Sequence, residues 1–331
     1  MTLNGHRKRF GGLPVAELHE IPRPTTTEAN SAPSTPPDPR PRAGDAAWAL
    51  RVGNSYRGHS ITESFPNLFA RFLETVDTTE VSAIVIGLWG DHNESAAVPI
   101  ELLAAAADRL PALRHLCLGD IVAEENELSW IQQSDITPLL TAFPALETLI
   151  VAGGEDLHLD PVGHDALRVL EFLSAGLPAE FVRAVGASLF PTLRALDMWL
   201  GVERYYGDST IEDLAGILNG EGLPMLTRLG LMNSEIQDEI AAAVAVAPIL
   251  DRLTELDLSM GTLGDEGAAA LLVGLPDAHL THLNLRHHFI SESLQQRLRD
   301  SLPGVRLDLD EEEEPYESAD GETGRYVEVA E

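Results

Sequence analysis

The stretch Leu253-Thr-Glu-Leu-Asp-Leu258 decides the fold, because its apolar spacing, L-x-x-L-x-L, returns along most of the chain. The copies begin at residues 81, 113, 146, 167, 193, 226, 253 and 280, in steps of 32, 33, 21, 26, 33, 27 and 27 residues. A ninth, degenerate copy fits Leu307 and Leu309. A short unit of this kind cannot bury its apolar face alone, so neighbouring units stack and share one continuous core. The pattern therefore predicts a solenoid with a large open surface suited to binding.

Four regions are predicted along the chain. Residues 1–44 are expected to form a disordered, proline-rich N-terminal segment, in which only Phe10–Leu18 is apolar enough to dock as a strand. Residues 45–80 combine one alternating and one helical apolar pattern, and we expect them to cap the first repeat with a strand and a helix. Residues 81–310 form the solenoid, and residues 311–331 form an acidic tail that is expected to be disordered over 311–320 and whose last eight residues either stay free or dock on the body.

The charge of the chain restricts the class of partner. The net charge is −31, of which residues 1–44 contribute +2 and residues 311–331 contribute −8, leaving −25 for the repeat-bearing residues 45–310. An acidic surface repels phosphate backbones and anionic lipids, so we expect neither nucleic acid nor membrane as a partner. A protein or peptide fits this field better, and a basic one fits it best. The alternative is that the acidity only keeps the protein soluble.

Cysteine usage and hydropathy bear on the compartment. The chain has one cysteine, Cys117, so a disulfide framework is not expected. No apolar run follows the basic residues Arg7, Lys8 and Arg9, and no stretch of about 18 apolar residues occurs in the sequence. We therefore expect a cytoplasmic protein.

The repeats resemble the ribonuclease-inhibitor-like leucine-rich repeats over about residues 81–310. This resemblance implies an α/β fold, a right-handed leucine-rich repeat solenoid or horseshoe with a parallel concave sheet and convex helices. Further segments look like a bacterial group of leucine-rich repeat proteins without an assigned activity, and this likeness implies no known chemistry. Those segments are Ser129–Asp135, Asn233–Glu239, Leu256–Gly261, Asp265–Leu272 and Gly324–Glu331.

A row of side chains is predicted along the concave face, because side chains alternate along a strand and neighbouring strands lie about 4.8 Å apart. The position between the last two apolar residues of each repeat reads Val85, Cys117, Ile150, Glu171, Asp197, Gly230, Asp257, Asn284 and Asp308. The acidic later half of this row is suited to a cation or to basic side chains. Alternatively, arginines on adjacent rows, such as Arg194, Arg228 and Arg286, neutralise it internally.

Aromatic residues in the long loops 87–96, 119–133 and 199–210 form a second candidate site, because aromatic side chains are enriched in binding hot spots. Tyr205 and Tyr206 lie in a polar stretch and are expected to be exposed. Trp130 is instead expected to fold inward with its apolar neighbours. The predicted partner-binding residues are Trp89, Glu171, Asp197, Trp199, Arg204, Tyr205, Tyr206, Asp257, Asn284 and Arg286.

The sequence favours a non-enzymatic scaffold that binds a protein or peptide through its concave face and its long strand-to-helix loops. No catalytic residue, metal site or cofactor is predicted, because phosphate-binding, zinc-protease and nucleophile motifs are absent from the sequence and the adjacent His287 and His288 point to opposite faces of a strand. The alternative is an enzyme, or an accessory subunit of one, that uses the acidic row with a bound cation. A closed cavity beside Asp197 and Asp257 would favour chemistry, and an open face would favour binding.

Overall fold

A computed structural model describes residues 5–18, 41–52, 63–317 and 323–330. Strands and helices alternate through most of this range, as the repeat pattern predicts. The strands are β1 Arg9–Phe10, β2 Leu13–Glu17, β3 Ala47–Leu50, β4 Ala83–Ile86, β5 His115–Leu118, β6 Thr148–Ala152, β7 Val169–Leu173, β8 Ala195–Gly201, β9 Arg228–Ser234, β10 Glu255–Asp257, β11 His282–Asn284, β12 Arg306–Asp308, β13 Tyr316–Glu317 and β14 Thr323–Gly324. The helices are α1 Phe65–Thr75, α2 Ala97–Ala105, α3 Thr137–Ala142, α4 Ala179–Ala187, α5 Ala215–Asn219, α6 Gln237–Val244, α7 Asp265–Gly274 and α8 Glu292–Ser301.

One sheet contains β1 to β12 in chain order. From β2 onward every neighbouring pair is parallel, whereas β1 and β2 form an antiparallel hairpin. Each repeat adds one strand to the end of the sheet, so the sheet grows in one direction as a solenoid must. The predicted α/β repeat solenoid with a parallel sheet is confirmed.

The core lies between the sheet and the helices. The central apolar residue of each repeat is buried in register with its neighbours, and this ladder comprises Leu116, Leu149, Leu170, Leu196, Leu229, Leu256, Leu283 and, partly buried, Leu307. Burying one such side chain contributes roughly 1.5–3 kcal/mol. Because side chains alternate, the residues between these leucines point to the opposite face of the sheet, called the concave face below.

The start of the sheet differs from the predicted domain boundaries. β3 and α1 occupy the region expected to cap the repeats, where the Trp48 and Phe72 rings lie 6.2 Å apart. Residues 5–18, however, form the β1–β2 hairpin, and β2 pairs with β3. Residues 10–18 dock in the sheet as their apolar side chains allow, whereas residues 5–9 are ordered against the expectation of disorder. Most of the proline-rich stretch, residues 19–40, lies outside the described residues.

The end of the C-terminal tail docks on the body, an alternative that the sequence left open: residues 323–330 cross the carboxyl ends of three strands. The Tyr326 carbonyl oxygen lies 3.0 Å from His287 Nε2, and the Glu328 N–H donates to the Met260 carbonyl oxygen over 2.8 Å. Asn233 Nδ2 donates to the Val329 carbonyl oxygen over 2.6 Å. His287, Met260 and Asn233 each adopt a left-handed backbone conformation, with φ of 58°, 70° and 55°. The tail thus runs back across the carboxyl ends of the strands, from β11 to β9.

None of the helices in the described part of the chain is long and apolar enough to cross a membrane.

Candidate functional site

The predicted concave row exists, with every member in register between adjacent strands. Its first part, Val85, Cys117 and Ile150, is buried. Its later part begins with Glu171 and Asp197, which are half-buried. The row therefore changes from apolar to acidic between β6 and β7.

A cavity of about 370 Å³ opens on the acidic part of the row and is called the acidic cavity below. Six of the ten predicted site residues line it. Its lining consists of Arg7, Glu171, Phe172, Leu173, Asp197, Trp199, Arg228, Met232, Asp257, Ser259, Met260, Asn284 and Arg286. Trp199 and Met232 pair in register on the concave face, so apolar surface lies directly beside the carboxylates. Such a combination suits a long side chain with an apolar stem and a charged head.

Two carboxyl groups of the acidic cavity lie in surroundings that disfavour their charged form. Burial, and after it the nearby charge of Asp197, raises the pKa of Glu171, although the charges of Arg7 and Arg228 act in the opposite direction. Burial also raises the pKa of Asp197, although Arg228 acts in the opposite direction. A raised pKa means that the folded protein disfavours the charged form. A cation entering the cavity would relieve this cost.

Arginines neutralise the row only in part. Arg228 donates to both oxygens of Asp197 over 3.1 and 3.2 Å, and its Nη1 lies 3.3 Å from Glu255. Arg286 instead pairs with Glu311 over 2.5 Å, and it lies 3.7 Å from Glu328 in the tail. The predicted internal neutralisation thus holds for Asp197.

Asp257 is paired with uncharged polar groups. It accepts hydrogen bonds from Ser259 Oγ over 2.5 Å and from Asn284 Nδ2 over 2.9 Å. Glu171 is different. Among the described residues, no basic side-chain nitrogen lies within 4 Å of its carboxylate. Glu171 is consequently the acidic group of the cavity with the most to gain from a ligand.

The apolar part of the row is covered by residues 5–10, called the arm below. The backbone N–H of Arg7 donates to both carboxylate oxygens of Asp120, over 3.3 and 3.2 Å. His6 Nε2 lies 3.2 Å from Glu125, and hydrogen bonds to Asp120 and Glu125 raise the pKa of His6 to about 9. Burial alone would raise the pKa of Asp120, but its bonds to His6 and Arg51 lower it. Asp120, which follows β5, is therefore the clamp that holds the arm.

The end of the arm is an aromatic anchor. Phe10 is buried, and its ring lies 6.1 Å from His115 in an edge-to-face arrangement. Burial lowers the pKa of His115, so the ring facing Phe10 is neutral. A second cavity of about 260 Å³, called the arm cavity below, lies between the arm and β5–β7, and both Arg7 and Cys117 line it. Arg7 thus forms a wall shared by the arm cavity and the acidic cavity.

The comparisons with known proteins agree with this architecture. A sequence model described as "Leucine Rich repeat" matches residues 253–272, the stretch that contains the opening motif. The chain is similar to a protein from Bacteroides fragilis whose crystal structure was a structural genomics target, with 27% identity and a TM-score of 0.74 over 85% of this chain and 76% of that one. The chain carries a leucine-rich repeat at these residues and has the fold of a leucine-rich repeat solenoid. No curated protein matches it.

The predicted aromatic residues of this leucine-rich repeat protein are dispersed. Trp199 lies within β8 rather than in a loop, and it is 5% exposed at the wall of the acidic cavity. Trp89 is buried, and its Nε1 donates to the Glu94 carbonyl oxygen over 2.7 Å. The expectation for Trp130 is wrong: its side chain is 51% exposed, because its neighbours Leu128 and Ile131 alone turn into the core.

The 199–210 region contributes a separate exposed patch. Tyr206 is 64% exposed, with a left-handed φ of 68°, whereas Tyr205 is half-buried, so the expectation of exposure holds for Tyr206 alone. The Arg204 guanidinium lies 5.3 Å from the centre of the Tyr205 ring. These three residues do not line the acidic cavity. They therefore form, at most, a second contact beside it.

The histidines after β11 have structural partners. His288 accepts a hydrogen bond from the Ile290 N–H at Nδ1, and its Nε2 lies 3.2 Å from the Leu309 carbonyl oxygen. His287 contacts the tail. Within the described ranges, no group of three or more histidine, cysteine or acidic side chains is arranged to hold a metal ion.

Sequence reasoning missed the arm and its clamp. Arg51 pairs with both Glu17 and Asp120, and Asp120 in turn holds His6 and Arg7. The available signal was a basic cluster at the start of a strongly acidic chain. Opposite charges predict that such a cluster will dock, but the sequence does not indicate where.

Proposed function

We propose that this leucine-rich repeat protein is a scaffold that binds a basic segment of a protein or peptide on its concave face. In this proposal a positively charged side chain enters the acidic cavity, and its charged head lies beside Glu171. The observation that carries the proposal is the placement of Glu171: a carboxylate with a raised pKa and no basic partner within 4 Å among the described residues, in a cavity of about 370 Å³.

Apolar surface in the same cavity supports a side chain rather than a free ion as the ligand. Trp199 and Met232 stand beside the carboxylates, and an arginine stem packs well on such a surface. Exposed acidic groups around the cavity would accelerate the encounter with a basic partner. The loop that carries the exposed Tyr206 and the half-buried Tyr205 would add a second contact.

The test uses a fluorescent arginine-rich peptide and the same peptide with citrulline, the neutral isostere, at each arginine. Anisotropy titrations compare the wild type with the double variant Glu171→Gln/Asp197→Asn. The control is Glu101→Gln/Asp108→Asn, which changes the net charge equally at exposed positions on the helix side of the molecule.

We expect the arginine peptide to bind the wild type and the control with affinities within about twofold of each other, and the cavity variant at least about tenfold more weakly, because one lost charge pair is worth about 1.4 kcal/mol or more when it is partly desolvated. The citrulline peptide should bind none of them measurably. Equal weakening by the two double variants, or equal binding of the two peptides, would contradict the proposal.

A further inference from the structure

We propose that the arm is a built-in occupant of the concave face, and that the partner presents a segment of the same chemistry, an arginine with an aromatic residue three positions later, which takes the place of the arm. This inference rests on the proposed function, because it names both the partner chemistry and the regulation of that binding face.

The arm makes the contacts of a bound peptide rather than those of a repeat. β1 has two residues, and its registered partners, Pro14 and Leu13, belong to the same hairpin. The polar contacts of the arm reach across 113 and 114 residues of sequence to Asp120. They consist of a backbone N–H pair to a carboxylate, cations beside carboxylates and one aromatic anchor, a combination often found where proteins recognise extended peptides.

The two anchors define the chemistry of a competitor. Arg7 lies where the arm cavity meets the acidic cavity, and its charge acts on Glu171. Phe10 is buried against His115. Lys8 and Arg9 between them are exposed. A competitor therefore needs an arginine and an aromatic residue at this spacing. The two positions between them can hold almost any residue type.

The arm fits its place incompletely, which leaves room for a better ligand. Clefts of about 260 and 370 Å³ that open to solvent flank Arg7, and no basic side chain in the described chain pairs with Glu171. A segment with a second basic group or larger side chains would fill space that the arm leaves open.

The two-residue turn of the β1–β2 hairpin lies directly after the arm. Gly11 and Gly12 both have positive φ, 56° and 79°, values that glycine adopts without strain. Beyond them, Val15, Ala16 and Glu17 pair with β3. Lifting residues 5–10 from the face breaks the pairing of β1 with β2, including the hydrogen bond from the Val15 N–H to the Lys8 carbonyl oxygen, and leaves β2 in the sheet. Because the arm is tethered, its effective concentration is high, of the order of millimolar for a short link, so it lowers the apparent affinity for any partner.

The test uses the full chain in three forms: the wild type, the arm variant Arg7→Ala/Phe10→Ala, and the control Lys8→Ala/Arg9→Ala, which removes two exposed charges from the same segment. The first measurement is the rate at which Ellman's reagent labels Cys117, the chain's one cysteine, which is 2% exposed in the wall of the arm cavity. We expect labelling at least about tenfold faster in the arm variant and within about twofold of the wild type in the control, because only the arm variant uncovers the thiol.

The second measurement is the binding of a labelled peptide with the sequence of residues 5–12, Gly-His-Arg-Lys-Arg-Phe-Gly-Gly, added in trans. The arm variant should bind it at least about tenfold more tightly than the wild type or the control. The same peptide with alanine for its first arginine and its phenylalanine should not bind. Equal labelling rates, or equal peptide affinities, in all three forms would overturn the inference.

A single variant, Arg7→Glu, covers the case in which loss of Phe10 lowers the melting temperature. It leaves the anchor in place and puts a negative charge beside Asp120 and Glu171, so it should change both measurements in the same direction. Suppose that the arginine-rich peptide binds the wild type and the arm variant with equal affinity, and that this binding is lost in Glu171→Gln/Asp197→Asn. The arm inference then fails and the proposed function stands. If labelling is faster but no arginine peptide binds any form, both fail.

Discussion

Across β4–β6 the concave row presents Val85, Cys117 and Ile150, whereas across β7–β12 it turns acidic and opens to a cavity. The apolar part is covered by the chain's own arm, and the acidic part is left partly unpaired. Both parts stand on the same parallel sheet and the same ladder of buried leucines. The difference teaches that the repeat fixes the framework, and that the outward positions alone decide which part is closed and which can accept a ligand.

The largest expected effects would come from the shared core, where the two parts should not differ. Leu116 lies beneath the apolar part and Leu256 beneath the acidic part, and both leucines are buried. The two variants are Leu116→Asp and Leu256→Asp. Each change should abolish the wild-type thermal transition, because it loses roughly 1.5–3 kcal/mol of apolar burial and also buries an unpaired carboxylate. Circular dichroism melts would show this.

The control for the core variants is Asp257→Asn, one residue from Leu256 on the opposite face of the sheet, which should melt near the wild type. A soluble Leu256→Asp variant with an unchanged melting temperature would contradict the repeat assignment at that strand.

Two tryptophans in the loops of the apolar part differ in burial, since Trp89 is buried and Trp130 is exposed, and their variants should differ in stability. Trp89→Ala should cost about 3–5 kcal/mol, because it empties a buried site. Trp130→Ala should change stability by no more than about 0.5 kcal/mol, because half of that side chain faces solvent. Urea denaturation of both variants measures the difference, and similar losses in the two would show that Trp130 packs inward after all.

The acidic part should carry a stability cost that a neutral residue removes. A carboxyl group whose folded pKa is raised adds stability below its unfolded pKa, near 4.5 for glutamate, and this contribution is lost as the pH rises through the folded value. Glu171→Gln should therefore melt slightly higher than the wild type at pH 8, and the difference should vanish near pH 4. Calorimetry at a series of pH values tests this. A variant that melts lower at pH 8 would show that the Glu171 carboxylate stabilises the fold.

The tyrosine loop beside the acidic cavity should affect binding more than folding. Tyr205→Ala/Tyr206→Ala should raise the dissociation rate of the arginine peptide severalfold and leave the melting temperature nearly unchanged, since Tyr206 is mostly exposed. Surface plasmon resonance at two salt concentrations separates this effect from the charge-dependent association rate. A variant that binds as well as the wild type would remove the loop from the binding surface.

The smallest expected effect concerns the arm itself. The pKa of His6 is raised from 6.5 to about 9 by Asp120 and Glu125, with Arg51 acting against them, so its contribution to arm docking is complete below pH 6.5 and is lost as the pH rises through about 9. An NMR titration of the His6 ring should give a pKa near 9 in the wild type and a value near 6.5 in the arm variant Arg7→Ala/Phe10→Ala. Identical values in the two would show that the arm does not hold His6.

The repeat pattern predicted the parallel sheet, the register of the concave row and six residues of the acidic cavity, because period-two alternation fixes which side chains share a face. The pattern could not place the arm, since its contacts join residues more than one hundred positions apart and depend on a single carboxylate, Asp120. It also misjudged Trp130 and placed Trp199 in a loop. Local apolar density does not show which of three neighbouring side chains turns inward, and β8 is longer than its motif.

The tail crosses the carboxyl ends of three strands, at Asn233, Met260 and His287, and this has a consequence for how the protein unfolds. In a simple repeat array each unit touches only its neighbours, so unfolding can begin at either end and spread one unit at a time. Here the last described residues are fastened 96 positions back along the chain, as the arm is fastened at the other end. Fraying of the terminal repeats must first undo these long closures. Long-range contacts hold both ends of the repeat array, so several repeats should unfold together rather than one at a time.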